Sequence, residues 1–189
     1  MNPTTLSRRD ALLLLGATAI TATSRAGGVP GDSIYQLHPA LTDQDGHPFD
    51  PASMRGSPVI ATMFYSSCEM VCPVIFETVA QIVKSLKPSV RDRVRVMMVS
   101  FDPERDTVPV LKETATRHGC DAHWSLVRGS DADVRRIAAL LGVQYRRLAS
   151  GEFNHSSSIQ LLDAEGRIVK RTGKLGEIDP AFIAAVQSS

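Results

Sequence analysis

Two long apolar runs constrain the fold of this chain more than any other feature. They are SPVIATMFY at residues 57–65 and VRVMMVSF at residues 94–101. Runs of this length without polar alternation are typical of strands that are covered on both faces of a sheet. Between the two runs, apolar side chains recur at helical spacing, at Ile75, Val79, Ile82, Val83 and Leu86. A strand, a helix and a second strand in this order predict a parallel pair joined by a crossover, which is the unit of an α/β fold.

The segments on either side of this unit indicate how the sheet continues. LHPALTDQDGHPFD has alternating apolar positions around Asp45-Gly46, which favours an N-terminal β-hairpin. Further strands are expected at HWSLVRG and on either side of the turn AEG. Helix caps are expected at Asp106 or Thr107, at Ser130 and at Asp179. The order predicts a central mixed sheet with flanking helices, an arrangement that resembles a thioredoxin-like fold with an extra N-terminal β-hairpin.

The first residues carry the pattern of an export signal. Arg8 and Arg9 precede the short apolar stretch ALLLLGATAITA, and small residues follow at Ser24 and Ala26. This pattern predicts a signal peptide over residues 1–26, and the paired arginines favour the twin-arginine type over an ordinary secretory signal. The apolar stretch is short for spanning about 30 Å of hydrocarbon, so we expect cleavage rather than a retained anchor.

Residues 27–189 then form one thioredoxin-like domain, a length within the usual range for a single core. We expect this domain to be periplasmic or otherwise exported, soluble after signal cleavage, and membrane-anchored if the signal is retained. The full chain has 21 basic and 20 acidic residues, a balance that indicates no nucleic-acid partner. After the signal, no stretch of the sequence predicts a membrane span.

The stretch SSCEMVCPVIF, residues 66–76, directly follows the first apolar run and contains two of the three cysteines. In an α/β sheet, chemistry collects where strands end and helices begin. Cys72 is expected at or beside the cap of the next helix, with Pro73 in its first turn, so backbone N–H groups and the helix dipole favour a thiolate there. Cys68 and Cys72 could form a permanent disulfide, remain two buried thiols, act as a redox-active catalytic pair, or bind a metal.

The chemistry of these alternatives differs. A permanent disulfide is disfavoured because cross-linking so short a loop gains little stability. A thioredoxin-type dithiol normally has two residues between its cysteines and a cis proline facing them, whereas this chain has three and no proline between Pro109 and Pro180. A metal site needs a third ligand, and FNHSSSIQLLD offers His155 in a loop just before an expected strand. Two thiolates and an imidazole suit copper, as Cu(I) or Cu(II), better than structural zinc, which usually takes four protein ligands. The candidate metal ligands are Cys68, Cys72 and His155, although a lone histidine in a loop is more often a surface residue than a ligand.

Three motifs occur in the order FYSSCEMVCPVIF, VSFDPERDTVPVLKE and NHSSSIQLLDAEGRIV. Together they resemble the Sco (SenC) family of copper-binding, thioredoxin-like proteins, from about Gln36 to about Lys174. The resemblance implies that the family's copper ligands, two cysteines in C-x-x-x-C-P and a histidine before a late strand, correspond to Cys68, Cys72 and His155. It also implies a metallochaperone that delivers copper to the copper-binding subunit of respiratory cytochrome c oxidase or to a similar copper protein.

Two further functions stay open beside this resemblance. One is a thiol-disulfide oxidoreductase, an enzyme that reduces the cysteines of a copper-site partner with Cys68 and Cys72 as its catalytic pair. The other is a metal-free interaction module, because Glu69, Met70 and Asn154 stand where the family commonly has a proline and two aspartates.

Several other chemistry-bearing residues have structural interpretations. Met70 is expected to be an exposed contact residue rather than a thioether ligand. RHGCDAH, with His118, Cys120 and His123, is expected to be a turn after a helix rather than a metal site. Asp102, in FDPERDT, follows a central strand and could support the metal ligands or contact a partner.

Overall fold

A seven-stranded sheet organises the part of the chain that the computed structural model describes, residues 31–189. The predicted signal peptide, residues 1–26, lies outside the described residues. In chain order, the described strands are β1 (Leu41–Asp43), β2 (Pro48–Phe49), β3 (Val59–Phe64), β4 (Arg95–Ser100), β5 (Trp124–Gly129), β6 (Tyr145–Arg147), β7 (Phe153–His155), β8 (Ile159–Leu162) and β9 (Ile168–Thr172). The large sheet has the order β2-β1-β5-β4-β3-β8-β9, and β6 pairs with β7 in a separate two-stranded ribbon.

The centre of the large sheet is parallel and its two sides are antiparallel. β3 pairs with β4, and β4 with β5, in parallel, whereas β1 and β8 join this centre in the antiparallel direction. The predicted mixed sheet and the N-terminal hairpin of β1 and β2 are confirmed. Every residue of β3 is buried, as is all of β4 except Arg95, which explains why both strands are continuous apolar runs in the sequence.

The described α-helices are α1 (Val71–Ser85), α2 (Pro88–Arg91), α3 (Val108–Arg117), α4 (Asp131–Leu141) and α5 (Pro180–Gln187). Local sequence signals set several of their ends. Ser130 caps α4 by accepting a hydrogen bond from the Asp133 N–H at 3.1 Å, and Asp179 caps α5 by accepting one from the Ala181 N–H at 3.0 Å. Gly142 ends α4 in the left-handed conformation, with a φ of 71°. Within residues 31–189, no helix has both the length and the apolar character that a membrane crossing requires.

The structure decides between the two caps predicted for α3 and corrects the position of His155. Thr107 is the N-cap of α3, although its side chain makes no capping hydrogen bond, while Asp106 is fully buried and accepts hydrogen bonds from Ser66 and Ser100. His155, which was expected in a loop, is the last residue of β7. β6 and β7 have three residues each, exposed or half-buried, so the sequence offers only a weak strand signal for this ribbon.

Candidate metal centre

Cys68 and Cys72 lie between β3 and α1, at the carboxyl edge of the parallel strands. The chain leaves β3 at Phe64 and enters α1 at Val71, so Cys72 lies in the first turn of the helix. Both cysteines are free thiols and both are buried, with 8% of Cys68 and 3% of Cys72 exposed. The backbone N–H of Cys72 donates a hydrogen bond to Sγ of Cys68 at 3.4 Å, which places the sulfur of Cys68 over the start of the helix.

The two thiols differ in acidity. Burial raises the pKa of Cys68, but hydrogen bonds from the backbone N–H groups of Cys72, Met70 and Val71 outweigh burial and hold that pKa below its ordinary value. Burial raises the pKa of Cys72 well above its ordinary range, and the neighbouring Cys68 adds to the rise. The start of the helix therefore favours a thiolate, as the sequence suggests, and the sulfur that benefits is that of Cys68.

His155 brings a third donor atom to the two sulfurs. Sγ of Cys68, Sγ of Cys72 and a ring nitrogen of His155 all lie within 4.8 Å of one another. The imidazole is half-buried, and its centroid lies 5.1 Å from the ring of Phe101 and 5.9 Å from the ring of Tyr65. A metal bound at about 2.3 Å from sulfur and about 2.0 Å from nitrogen needs donors roughly 4 Å apart, so small side-chain movements would close this cluster on one ion.

Two serines lie against the imidazole on the side of Nδ1. Nδ1 of His155 is 3.3 Å from the carbonyl oxygen of Ser156 and 3.2 Å from Oγ of Ser157. A proton on Nδ1 can be donated to that carbonyl, which leaves the lone pair of Nε2 for a metal ion. The cluster can thus offer two sulfurs and one nitrogen, a donor set for a soft or borderline metal ion.

Sequence reasoning missed most of the side chains that surround this cluster. The buried Tyr65 donates its hydroxyl hydrogen bond to Glu152 at 2.7 Å. Asp102 was singled out, but it is 1% exposed and accepts hydrogen bonds from Arg105 and, at 2.6 Å, from Arg147. Within the described part of the chain, this buried carboxylate therefore holds two arginine side chains and makes no hydrogen bond with a cysteine or with His155. No sequence pattern marks Arg147 and Glu152 as residues near the site, because the sequence does not predict the β6–β7 ribbon that carries them.

The remaining chemistry-bearing residues lie outside the cluster. Met70 is 85% exposed, as expected of a surface contact residue. The ring of His118 stacks on that of Phe76 with centroids 4.0 Å apart. Burial raises the pKa of Cys120 to about 12. Among residues 31–189, His118, Cys120 and His123 do not form a group that could hold a metal ion, in agreement with the expected turn.

A thioredoxin-like α/β fold in which two cysteines and one histidine converge beside the first parallel strand defines a class of thiol proteins suited to metal binding or disulfide exchange. The model of the SCO1/SenC family matches residues 32–188 of this chain. The chain belongs to the SCO1/SenC family, so the resemblance seen in its three motifs is confirmed.

Individual relatives agree with this assignment. The SCO1 protein homolog of Bacillus subtilis (strain 168) is 27% identical over 141 residues, which are 72% of this chain and 72% of that protein. SCO2-like proteins of Rickettsia species are matched over 65% to 66% of their own length.

Solved structures share the fold. The structure of Bradyrhizobium japonicum ScoI with copper bound has a TM-score of 0.68 and 24% identity, covering 79% of this chain and 96% of that one. BsSco, described as a member of the Sco family of cytochrome c oxidase assembly proteins, has a TM-score of 0.67 and 24% identity, covering 80% of this chain and 91% of its own.

Proposed function

We propose that this protein binds one copper ion through Cys68, Cys72 and His155 and delivers it to a copper-acceptor protein. The observation that carries the proposal is the convergence of two sulfurs and one ring nitrogen within 4.8 Å of one another. The cysteines come from the loop before α1 and the histidine from the end of β7, parts of the chain that are distant in sequence. Such a convergence suits a shared ion, whereas a simple dithiol needs no imidazole.

The donor set favours copper. Thiolates are soft ligands that select Cu(I), and an imidazole also suits Cu(II), so the site can accept either oxidation state. Structural zinc usually takes four protein ligands, and within residues 31–189 no fourth cysteine, histidine or acidic side chain joins the group. The copper bound to Bradyrhizobium japonicum ScoI, a protein of the same fold, supports this choice.

Transfer by ligand exchange fits the surroundings of the site. Cys68 and His155 line a surface groove together with Glu69 and Met70, so the thiolates of a partner can approach the ion from that side. Each incoming thiolate would bond to copper as one ligand of this protein leaves, so that the ion stays coordinated throughout. The proposed acceptor is the copper-binding subunit of cytochrome c oxidase or a similar copper protein, a choice supported by the description of BsSco as an oxidase assembly protein.

We place this activity outside the cytoplasm. Residues 1–26 would act as a signal peptide of the twin-arginine type, and residues 27–189 as the exported domain, which is soluble if the signal is cleaved and membrane-anchored if it is retained. In an oxidising compartment, the free thiols of Cys68 and Cys72 need a bound ion or a reductant to persist.

The unequal acidity of the two cysteines favours a second function, thiol-disulfide exchange. The Cys68 thiolate would attack a disulfide of a partner, forming a mixed disulfide and releasing one partner thiolate. Cys72, once deprotonated, would then attack the Cys68 sulfur and release the second partner thiolate, which leaves the partner reduced and the Cys68–Cys72 pair oxidised. In this alternative, His155 tunes thiol reactivity and binds no metal.

Copper titration of the reduced protein tests the proposal. Cu(I) is added in competition with a chelator of known affinity, and His155→Ala and Cys72→Ser are compared with the wild type. We expect one copper per protein and an affinity that falls by about tenfold or more in each variant. His47→Ala, which removes an exposed histidine between β1 and β2, is the matched control and should bind copper like the wild type. Binding should weaken in acid, because protons compete for the thiolates and the imidazole.

A disulfide-reduction assay on the same proteins separates the alternatives. Turnover that is indifferent to His155, together with weak copper binding, would support the oxidoreductase. Failure of both assays would point to the metal-free interaction module. Oxidation to the Cys68–Cys72 disulfide should abolish copper binding, since the same sulfurs cannot bond to each other and to the ion.

A further inference from the structure

The main sheet does not hold the hairpin that carries His155. β6 and β7 form a ribbon of two strands, three residues each, which is separate from the seven-stranded sheet. A two-stranded hairpin is at best marginally stable by itself in water. The orientation of His155 toward the sulfurs must therefore come from contacts between this ribbon and the rest of the molecule.

One polar contact of the ribbon runs to a buried carboxylate. Asp102, two residues beyond β4, accepts a hydrogen bond from Nη2 of Arg147 at 2.6 Å and another from Nε of Arg105. Nη1 of Arg147 also donates to Glu104 at 2.7 Å, so one planar guanidinium bridges two carboxylates. The Asp102 side chain is 1% exposed, and its two arginine partners offset the desolvation of its charge.

The turn of the ribbon, next to Arg147, is held by residues of the same loop. Nη2 of Arg105 donates to the carbonyl oxygen of Gly151, in the turn between β6 and β7, at 2.6 Å. Next to it, Glu152 accepts the hydrogen bond from Tyr65 at 2.7 Å. Together with Arg147 on β6, these contacts hold both the strand and the turn of the hairpin against the body of the protein.

Strand register transmits this anchoring to the imidazole. Arg147 lies opposite Phe153, and Tyr145 lies opposite His155, so a displacement of β6 displaces His155 as well. The ring of Tyr145 stacks on Phe101 with centroids 4.9 Å apart, next to the contact that Phe101 makes with His155. The Arg147–Asp102 ion pair is therefore two residues along β6 from Tyr145, the residue opposite His155.

We propose that Arg147 is a positioning residue for the copper site, which clamps the β6–β7 ribbon to Asp102 and thereby keeps the imidazole of His155 facing the two cysteines. This inference rests on the proposed function of copper binding. The clamp orders the third ligand before the ion arrives, so binding does not have to supply that ordering. Arg147 itself touches no donor atom.

A double-mutant cycle tests this role. Cu(I) affinity is measured by chelator competition for the reduced wild type, Arg147→Ala, His155→Ala and the double variant. We expect Arg147→Ala to weaken binding by about tenfold, the lower end of the loss expected when a residue that supports a ligand is removed. In the His155→Ala background the same change should have no further effect, because no third ligand remains to be positioned.

Two variants control for charge and for general damage. Arg146→Ala removes the neighbouring arginine, which is exposed, lies on the same strand and makes none of these contacts, and it should leave copper affinity unchanged. Arg147→Lys keeps the charge but loses the bridge between two carboxylates, so we expect a partial recovery relative to Arg147→Ala. The Arg147 side chain is 43% exposed, so its removal should leave the fold intact, as circular dichroism would show.

The metal-free protein provides a second readout. Nuclear Overhauser contacts between the rings of His155 and Phe101, whose centroids lie 5.1 Å apart, should be lost in Arg147→Ala and kept in Arg146→Ala. If the wild type binds no copper while these contacts depend on Arg147, the proposed function fails and the positioning role stands. If Arg147→Ala changes neither the copper affinity nor the ring contacts, the positioning role is overturned and the proposed function stands. The same holds if Arg147→Ala lowers the affinity equally in the wild type and in the His155→Ala background.

Discussion

The backbone N–H of Cys72 donates a hydrogen bond to the sulfur of Cys68 across 3.4 Å, and this contact makes the two cysteines chemically unequal. The start of α1 stabilises a negative charge on Cys68, whereas burial keeps Cys72 protonated. An incoming metal ion would therefore displace a proton from Cys68 more readily than from Cys72. Protons should therefore compete with the metal ion more strongly for the sulfur of Cys72 than for that of Cys68.

Alkylation of the reduced, metal-free protein should label Cys68 first. Although burial raises its pKa, the N–H groups around its sulfur lower that pKa to below the ordinary value, and the thiolate is the reactive form. Burial raises the pKa of Cys120 to about 12, so at neutral pH this thiol should react at least about tenfold more slowly than Cys68. As the pH falls through the lowered pKa of Cys68, its thiolate is protonated and its labelling should slow. Mass spectrometry of peptides after timed iodoacetamide treatment measures both rates.

Cys120→Ser is the control for this experiment and should leave the labelling rate of Cys68 unchanged. Faster labelling of Cys72 or Cys120 than of Cys68 would contradict the assignment of the thiolate.

Met70→Leu should leave copper binding intact. The side chain of Met70 is 85% exposed and makes no contribution to the core, so the change should alter the free energy of unfolding by no more than about 0.5 kcal/mol. Chelator competition should give a Cu(I) affinity close to that of the wild type. A loss of about tenfold with unchanged stability would instead identify the thioether as a copper ligand.

Much of the fold was predictable because its signals are local. β3 and β4 are continuous apolar runs, and Ser130 and Asp179 cap helices through residues two or three positions away. The position of the cysteine pair followed from the same patterns, since a strand-to-helix junction is visible in the sequence.

The β6–β7 ribbon could not be predicted because distant contacts hold it. Arg147 reaches Asp102 across 45 positions, and Tyr145 and Phe153 pack on Phe101 in a distant segment, so the contacts that hold the ribbon leave no local pattern in the sequence. Without the ribbon, His155 looked like a residue of a loop.

Asp106 shows a related limit of local reasoning. Its position before α3 matches a helix cap, but burial beside Ser66 and Ser100 gives its carboxylate other donors. Tertiary contacts thus take up a side chain that could have capped α3, whereas Ser130 accepts its capping hydrogen bond from the Asp133 N–H.

Gly166→Ala should destabilise the protein more than Gly56→Ala does. Both glycines have a positive φ, 78° and 88°, which costs about 1–2 kcal/mol for a residue with a side chain. At Gly166 an added Cβ would also lie 2.7 Å from Oγ of Ser33 and 2.8 Å from the ring of Tyr35, both of which are buried. At Gly56 nothing lies within 4 Å, so this variant is the matched control for backbone strain alone.

Urea denaturation should therefore give a loss of roughly 1 kcal/mol for Gly56→Ala and about 1–3 kcal/mol more for Gly166→Ala, the usual range for overpacking. If both variants lose the same free energy of unfolding, Ser33 and Tyr35 move away from the added Cβ at no cost in stability.

The stability of Asp106→Asn, measured as its free energy of unfolding, should increase relative to that of the wild type as the pH rises. Burial raises the pKa of Asp106 in the folded protein, and hydrogen bonds from Ser100 and Ser66 only partly oppose this rise. Above the ordinary pKa of an aspartate, the unfolded chain loses its proton before the folded protein does, so the free energy of unfolding of the wild type falls until the raised pKa is passed. The amide variant has no such proton to lose. Urea denaturation of both proteins at several pH values between about 4 and 8 measures the difference.

Asp163→Asn provides a comparison of opposite sign. Burial raises the pKa of Asp163, but hydrogen bonds from the backbone and side chain of Arg167 and from the backbone of Glu165 outweigh it and lower that pKa overall. The stability that Asp163 contributes is present above its ordinary pKa and is lost as the pH falls through the lowered value, so wild type and Asp163→Asn should converge in acid. Opposite slopes for the two aspartates would support the assignment of a buried carboxyl with a raised pKa beside Ser66. A flat profile for Asp106 would mean that the hydrogen bonds from Ser66 and Ser100 fully compensate its burial, and a slope parallel to that of Asp163 would mean that they outweigh it.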